Sequence, residues 1–138
     1  MNLFSPVAEL MTKDVITVGP DDTLSVVKDN FDKGSFHHLP VVKDKAILGI
    51  ISKSDLLYFL EGLKEKDEND AILHDLKAEK IMTKGLAKVE STDRINVALE
   101  VFKVNLFHAI PVVDNNELVG ILTTYDIIKA LADGNLTQ

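Results

Sequence analysis

The sequence predicts an α+β protein of two tandem β-α-β-β-α repeats packed about a pseudo-twofold axis. Three observations carry that reading. The stretch GIISKSDLL, Gly49 to Leu57, returns as GILTTYDII, Gly120 to Ile128, a shift of 71 positions. The same shift places Met11-Thr12-Lys13 on Met82-Thr83-Lys84, Phe36-His37 on Phe107-His108, and Pro40-Val41-Val42 on Pro111-Val112-Val113. From Met11 to Leu57 the two copies align without a gap and share about 15 of 47 positions, a register that chance similarity rarely keeps.

Each element follows from local pattern. In the first copy Val15 to Val18 reads as a short strand. Pro20-Asp21-Asp22-Thr23 supplies a turn and a helix start, and Leu24, Val27 and Phe31 recur at helical spacing until Lys33-Gly34. Leu39 to Val42 and Ala46 to Ile51 are apolar runs on either side of the polar Lys43-Asp44-Lys45, the signature of a hairpin. A closing helix carries Leu56, Leu60 and Leu63 on one stripe, with Phe59 beside it. The second copy repeats the order: a strand from Leu86 to Val89, a helix with Ile95, Ala98, Leu99 and Phe102, a hairpin around Asp114-Asn115-Asn116, and a helix from Thr124 to about Ala132.

These readings divide the chain into a first repeat at 7–63, a charged connector at 64–76 and a second repeat at 77–133. The connector holds the run Lys64-Glu65-Lys66-Asp67-Glu68 and is expected to be exposed and partly helical. A repeat of about 60 residues buries little surface alone, so two three-stranded sheets packed against each other are the economical arrangement.

Composition narrows the function. Apolar residues are 46% of the chain and charged residues 27%, as in ordinary globular proteins. Asp and Glu number 22 against 15 Lys and Arg, a net charge of -7, which disfavours nucleic acid and anionic membrane surfaces as partners. No apolar run reaches the roughly 20 residues that span a bilayer. MNLFSPVAELM has no basic region ahead of a long apolar one, so a cytoplasmic location is expected. With no Cys, disulfides, thiolate catalysis and Cys-ligated metal are excluded. The adjacent His37 and His38 point to opposite faces of a strand and make a poor metal pair, so no metal is expected. There is no activated nucleophile, Gly-rich phosphate loop or metal-ligand spacing, and the chain is not expected to be an enzyme.

The repeated motif does have chemistry. Ser52 and Thr123 fall where a strand turns into a helix, so their hydroxyls and the free amides of the first turn suit an anion such as phosphate. Asp55 and Asp126 follow three residues later, where a carboxylate can accept two hydrogen bonds from a ribose cis-diol. The same spacing is a capping box, in which hydroxyl and acid satisfy the helix start themselves. Both readings stand on the residues alone. Gly49 and Gly120 lack a Cβ and admit close approach of a backbone or a ligand.

The opening MT-K, the strands HLPVV and AIPVV and the closing G-h-h-[ST]-x-x-D-h-h, with h apolar, together resemble a tandem pair of cystathionine-β-synthase (CBS) domains, a Bateman module. The resemblance runs from Val7 to about Leu63 and from Lys77 to about Ala132. It implies a non-catalytic regulatory module that binds an adenosine nucleotide in a cleft between the copies. AMP, ADP or ATP are the implied ligands, and S-adenosylmethionine is the less favoured one. It also implies a homodimer and a regulated enzyme or transporter as partner. In that family the adenine slot is formed by the first strand and the residues before Pro, here Ile16, Thr17, His38, Leu39 and Pro40 in one copy, and Ala87, Lys88, Ala109, Ile110 and Pro111 in the other. Simple core packing is the alternative for the apolar members. Many phosphate-binding members place Arg immediately before the motif Asp, whereas this chain has Ser54 and Tyr125, which disfavours polyphosphate. Lys53 is a partial substitute in the first copy and Lys88 a phosphate contact in the second. The small Ala87 and Ala109 leave more room, so Thr123 with Asp126 is the preferred site. A structural dimerisation module that binds no ligand is the alternative function, and the apolar Leu56, Leu57, Phe59, Leu60 and Leu63 suit it.

Overall fold

The computed structural model describes residues 1–63, 70–104 and 108–138. The run Lys64 to Glu68 and the repeated Phe107 lie outside them. The elements are α1 (Leu24–Lys33), β1 (His38–Lys43), β2 (Ala46–Ser52), α2 (Lys53–Glu61), α3 (Asp70–Asp75), α4 (Ile95–Val104), β3 (Ala109–Asp114), β4 (Glu117–Thr123) and α5 (Thr124–Ala132). The mixed helix and strand class and the tandem order are as expected, and α3 supplies helix within the connector.

The chain forms two compact units whose boundaries are offset from the repeats. One comprises Ile16–Gly85, the other Met1–Val15 together with Leu86–Gln138. The Met-Thr-Lys segment that opens each copy is thus packed in the unit that holds the other copy's hairpin.

In the continuous unit, β1 and β2 pair antiparallel from His38↔Ser52 to Lys43↔Ala46. Asp44 and Lys45 form the two-residue turn, both with positive φ (51° and 69°), the backbone of a type I′ hairpin whose twist matches that of its strands. The register shifts between Val41 and Val42, which pair with Gly49 and Ile47, so Leu48 bulges outward. The expected three-stranded sheet is reduced: Val15 to Val18 is no strand, and only Val18 joins β1, in a parallel bridge to Val41. Its amide donates to Pro40 O at 3.0 Å and its carbonyl accepts from Val42 N at 2.8 Å. On the outer edge of β2, Thr83 makes an antiparallel bridge to Ile50, an addition that sequence periodicity had not indicated.

The other unit follows the same plan. β3 pairs with β4 from Ala109↔Thr123 to Asp114↔Glu117, with Asn115 and Asn116 at positive φ in the turn and a register shift between Val112 and Val113. Leu86 to Val89 also fails to form a strand, leaving one parallel bridge from Val89 to Val112, while Thr12 bridges Ile121 on the other edge.

Each unit has its own core. Leu24, Val27 and Phe31 of α1 pack with Leu39, Val41, Ile51 and Leu56, and with Ala78 from the second opening segment. Ile95 and Ala98 of α4 pack with Ile110, Val112, Leu122 and Ile127, and with Val7 from the first. Val7 and Ala78, equivalent in the repeat, are both fully buried. The helix starts confirm the exchange: Leu24 N donates to Leu76 O at 2.9 Å, and Ile95 N and Asn96 N donate to Ser5 O and Leu3 O at 3.0 and 2.9 Å. The stripe expected on α2 is shorter than its pattern, because the helix ends at Glu61 and leaves Leu63 beyond it; Leu56 is buried and Leu57 exposed.

Candidate functional site

Each repeated motif sits at a strand-to-helix junction inside one unit. Ser52 and Thr123 are the last residues of β2 and β4 and adopt extended backbone as N-caps of α2 and α5. Both complete capping boxes. Ser52 Oγ accepts from Asp55 N at 3.0 Å while Asp55 Oδ2 accepts from Ser52 N at 3.2 Å. Thr123 Oγ1 accepts from Asp126 N at 3.2 Å and Asp126 Oδ2 accepts from Thr123 N at 2.9 Å.

These bonds determine what the helix starts have left to offer. Lys53 N donates to His37 O at 2.8 Å, and Thr124 N to His108 O at 3.0 Å. With the cap and third amides also taken, the second amide, of Ser54 in α2 and Tyr125 in α5, is the donor that no bond among the described residues uses. The expected fan of free amides is therefore one amide and one hydroxyl per helix. That suits a single phosphate oxygen better than a polyphosphate chain.

The two carboxylates differ. Asp55 is exposed and, among the described residues, its carboxylate accepts only from Ser52 N, whereas Asp126 is half-buried and its second oxygen, Oδ1, accepts from Thr12 Oγ1 at 3.1 Å. Ser52 Oγ also lies 3.0 Å from Ser54 Oγ. Asp55 borders an open hollow of about 420 Å³ lined by Tyr58, Phe59, Leu63, Ile81 and Thr83.

The expected adenine residues fall into two kinds. Leu39, Pro40, Ala109, Ile110 and Pro111 are buried. Leu39 and Ile110 point into the cores, so what those two offer a ligand is backbone. Ile16 and Thr17 are exposed, and His38 and Ala87 half-buried. Lys53 and Lys88 also stand apart in character. Lys53 is the first residue of α2, while Lys88 borders an open depression of about 550 Å³ whose other lining includes Glu90, Asp93, Asn115 and Asn116. That acidic setting does not favour an anion at Lys88.

Sequence reasoning missed the role of the opening Met-Thr segments. A Cβ on Gly49 would stand 2.8 Å from Met82 Sδ and from Thr83 O, and one on Gly120 2.6 Å from Met11 Sδ. The close neighbour of each motif glycine is the other copy's opening segment.

The family model for the CBS domain matches residues 7–62 and 78–133. The chain belongs to the CBS-domain family. Among curated CBS-containing relatives, inosine-5'-monophosphate dehydrogenase of Methanocaldococcus jannaschii is 32% identical over 123 residues, 88% of this chain and 22% of the enzyme. The chain spans less than half the length of that protein and of two other matched M. jannaschii proteins. Among solved structures, the CBS domain pair of MJ0100 in complex with 5'-methylthioadenosine and S-adenosyl-L-methionine superposes with a TM-score of 0.77 at 23% identity, covering 95% of this chain and 98% of that one. CBSX2 in complex with AMP gives a TM-score of 0.78 at 23% identity, covering 94% and 97%; CBSX2 is a CBS-pair protein of Arabidopsis thaliana. These likenesses establish the fold as that of a CBS domain pair. Among the described residues, no helix is long and apolar enough to cross a membrane.

Proposed function

We propose that this CBS-domain pair is a non-catalytic regulatory module that binds an adenosine nucleotide, AMP or ADP, and passes the signal to a partner protein. The observation that carries the reading is the start of α5. There an oriented carboxylate, Asp126, stands three residues from the Thr123 hydroxyl and one from the Tyr125 amide, which no bond among the described residues uses. In the proposed complex Asp126 accepts from the ribose hydroxyls, and the Thr123 hydroxyl with the Tyr125 amide receives the phosphate. Capping and ligand binding use these groups together, since each carboxylate oxygen has a second lone pair. Adenosine compounds bound to MJ0100 and CBSX2 support the ligand class. The start of α2, with Ser52, Asp55 and Lys53, is the weaker second position. Ligand-dependent bias between two arrangements is the proposed mode of signalling.

Calorimetric titration with AMP, ADP, ATP and S-adenosylmethionine tests this. Binding of AMP or ADP that disappears in Asp126→Ala is the expected result. No heat with any of the four, or unchanged binding in Asp126→Ala, removes the assignment.

A second reading, a homodimerisation module that ignores nucleotides, rests on exposed apolar side chains. Tyr58 is 81% exposed on α2, and Tyr125, Ile128 and Leu131 recur along α5 at 66%, 63% and 54%. It predicts a concentration-dependent dimer whose sedimentation is unaffected by AMP.

A further inference from the structure

We infer that Thr12 is a positioning residue for Asp126: it fixes the plane of that carboxylate so that both oxygens meet the cis-diol of a ribose. The inference rests on the nucleotide reading above and assigns its sugar specificity to a residue far away in sequence.

A carboxylate held at one oxygen still turns about its terminal torsion, which is broad and roughly two-fold. Among the described residues Asp55 is in that condition, with Ser52 N on Oδ2 at 3.2 Å. Asp126 is held at both ends, by Thr123 N on Oδ2 at 2.9 Å and Thr12 Oγ1 on Oδ1 at 3.1 Å. Each oxygen keeps one lone pair, so two acceptors remain in a fixed pair, matched to two adjacent hydroxyls. Thr12 can perform this role because its own backbone is held. Its amide donates to Ile121 O at 2.8 Å and its carbonyl accepts from Ile121 N at 3.0 Å, over a glycine at 120 that leaves space for it.

The bond does not follow from the repeat. Thr83 is held against Ile50 by the same two backbone bonds, 2.9 and 3.0 Å, beside Gly49. Among the described residues, however, its hydroxyl makes no bond to Asp55. Among the described residues, the hydroxyl hydrogen bond from Thr12 is what distinguishes the hold on the two carboxylates, and it selects Asp126 as the preorganised diol acceptor.

The test compares AMP with 2'-deoxyadenosine 5'-monophosphate, which lacks one hydroxyl of the diol, by calorimetry on wild type, Thr12→Val, Thr12→Ala and Thr12→Ser. Thr12 is exposed, so the two hydroxyl-free variants remove the bond without opening the core. They should bind AMP roughly three- to tenfold more weakly, the scale of one lost hydrogen bond, and bind the deoxynucleotide as wild type does. Thr12→Ser should restore the preference for AMP. A wild-type AMP preference in both hydroxyl-free variants, or an equal loss for both nucleotides, overturns the role of Thr12 and leaves the nucleotide reading intact. Wild type that binds neither nucleotide overturns both.

Discussion

Gly120 lies against Met11 so closely that a Cβ there would stand 2.6 Å from Met11 Sδ and 2.9 Å from Thr12 O. The sulfur is the end of a flexible side chain and can move; the carbonyl belongs to the bridge with Ile121 and cannot move without breaking it. Gly120→Ala should therefore destabilise the protein by about 1–3 kcal/mol, the usual cost of overpacking. Gly49→Ala, with Thr83 O at 2.8 Å, should behave alike. Urea denaturation of both variants measures this, and a cost near zero would mean that the opening segments are not held as the backbone bonds indicate.

The capping boxes predict a separable effect. Thr123→Ala removes the acceptor of Asp126 N and should lower stability by about 0.5–2 kcal/mol whether or not nucleotide is present. Ser52→Ala should cost a similar amount, since Ser52 Oγ caps Asp55 N at 3.0 Å. Nucleotide-induced stabilisation should fall in Thr123→Ala and be little changed in Ser52→Ala, because Asp126 is the carboxylate held at both oxygens. Thermal melts with and without AMP read both effects, and equal losses of the AMP response would place the two helix starts on one footing.

The helices and hairpins were legible because their signals are local. Leu24, Val27 and Phe31 lie on one helical face and are the buried residues of α1. Ser52 and Asp55 are three positions apart, so a capping box is visible in the sequence itself. The strands expected at Val15 to Val18 and Leu86 to Val89 failed because a short apolar run does not reveal whether it has a partner along its whole length, and each meets its hairpin at one residue. Most hidden was the exchange of the opening segments. Thr12 and Asp126 are 114 positions apart, and only the missing side chain at Gly120 marks where Thr12 lies. In sequence the two glycines offer room for a backbone or a ligand; the structure fills that room with backbone and methionine.

The two hairpin turns give a prediction about left-handed backbone. Lys45 has φ of 69° and Asn116 of 65° at the same turn position. Asn tolerates this conformation through local hydrogen bonding, whereas Lys carries the full steric cost of its Cβ. Lys45→Gly should stabilise the protein by up to about 1 kcal/mol, and Asn116→Gly by less. Chemical denaturation of the two variants checks the order, and a larger gain at Asn116 would contradict it.

The turn of the second hairpin also carries a pH-dependent contact. Asp114, the last residue of β3, accepts from Ser91 Oγ at 2.5 Å and from Ser91 N at 3.0 Å, and these two bonds hold its carboxyl below the ordinary value of 3.8. A carboxyl more acidic in the folded than in the unfolded chain contributes stability that is fully present above the unfolded value and lost as pH falls through the folded one. Ser91→Ala removes the side-chain donor, the larger cause of the shift. The stability gap between wild type and Ser91→Ala should therefore be constant from neutral pH down to about 5 and narrow below about 4 as Asp114 protonates. Urea titrations at a series of acid pH values measure the gap, and one that widened on acidification would show that the Ser91–Asp114 contact does not favour the charged carboxylate.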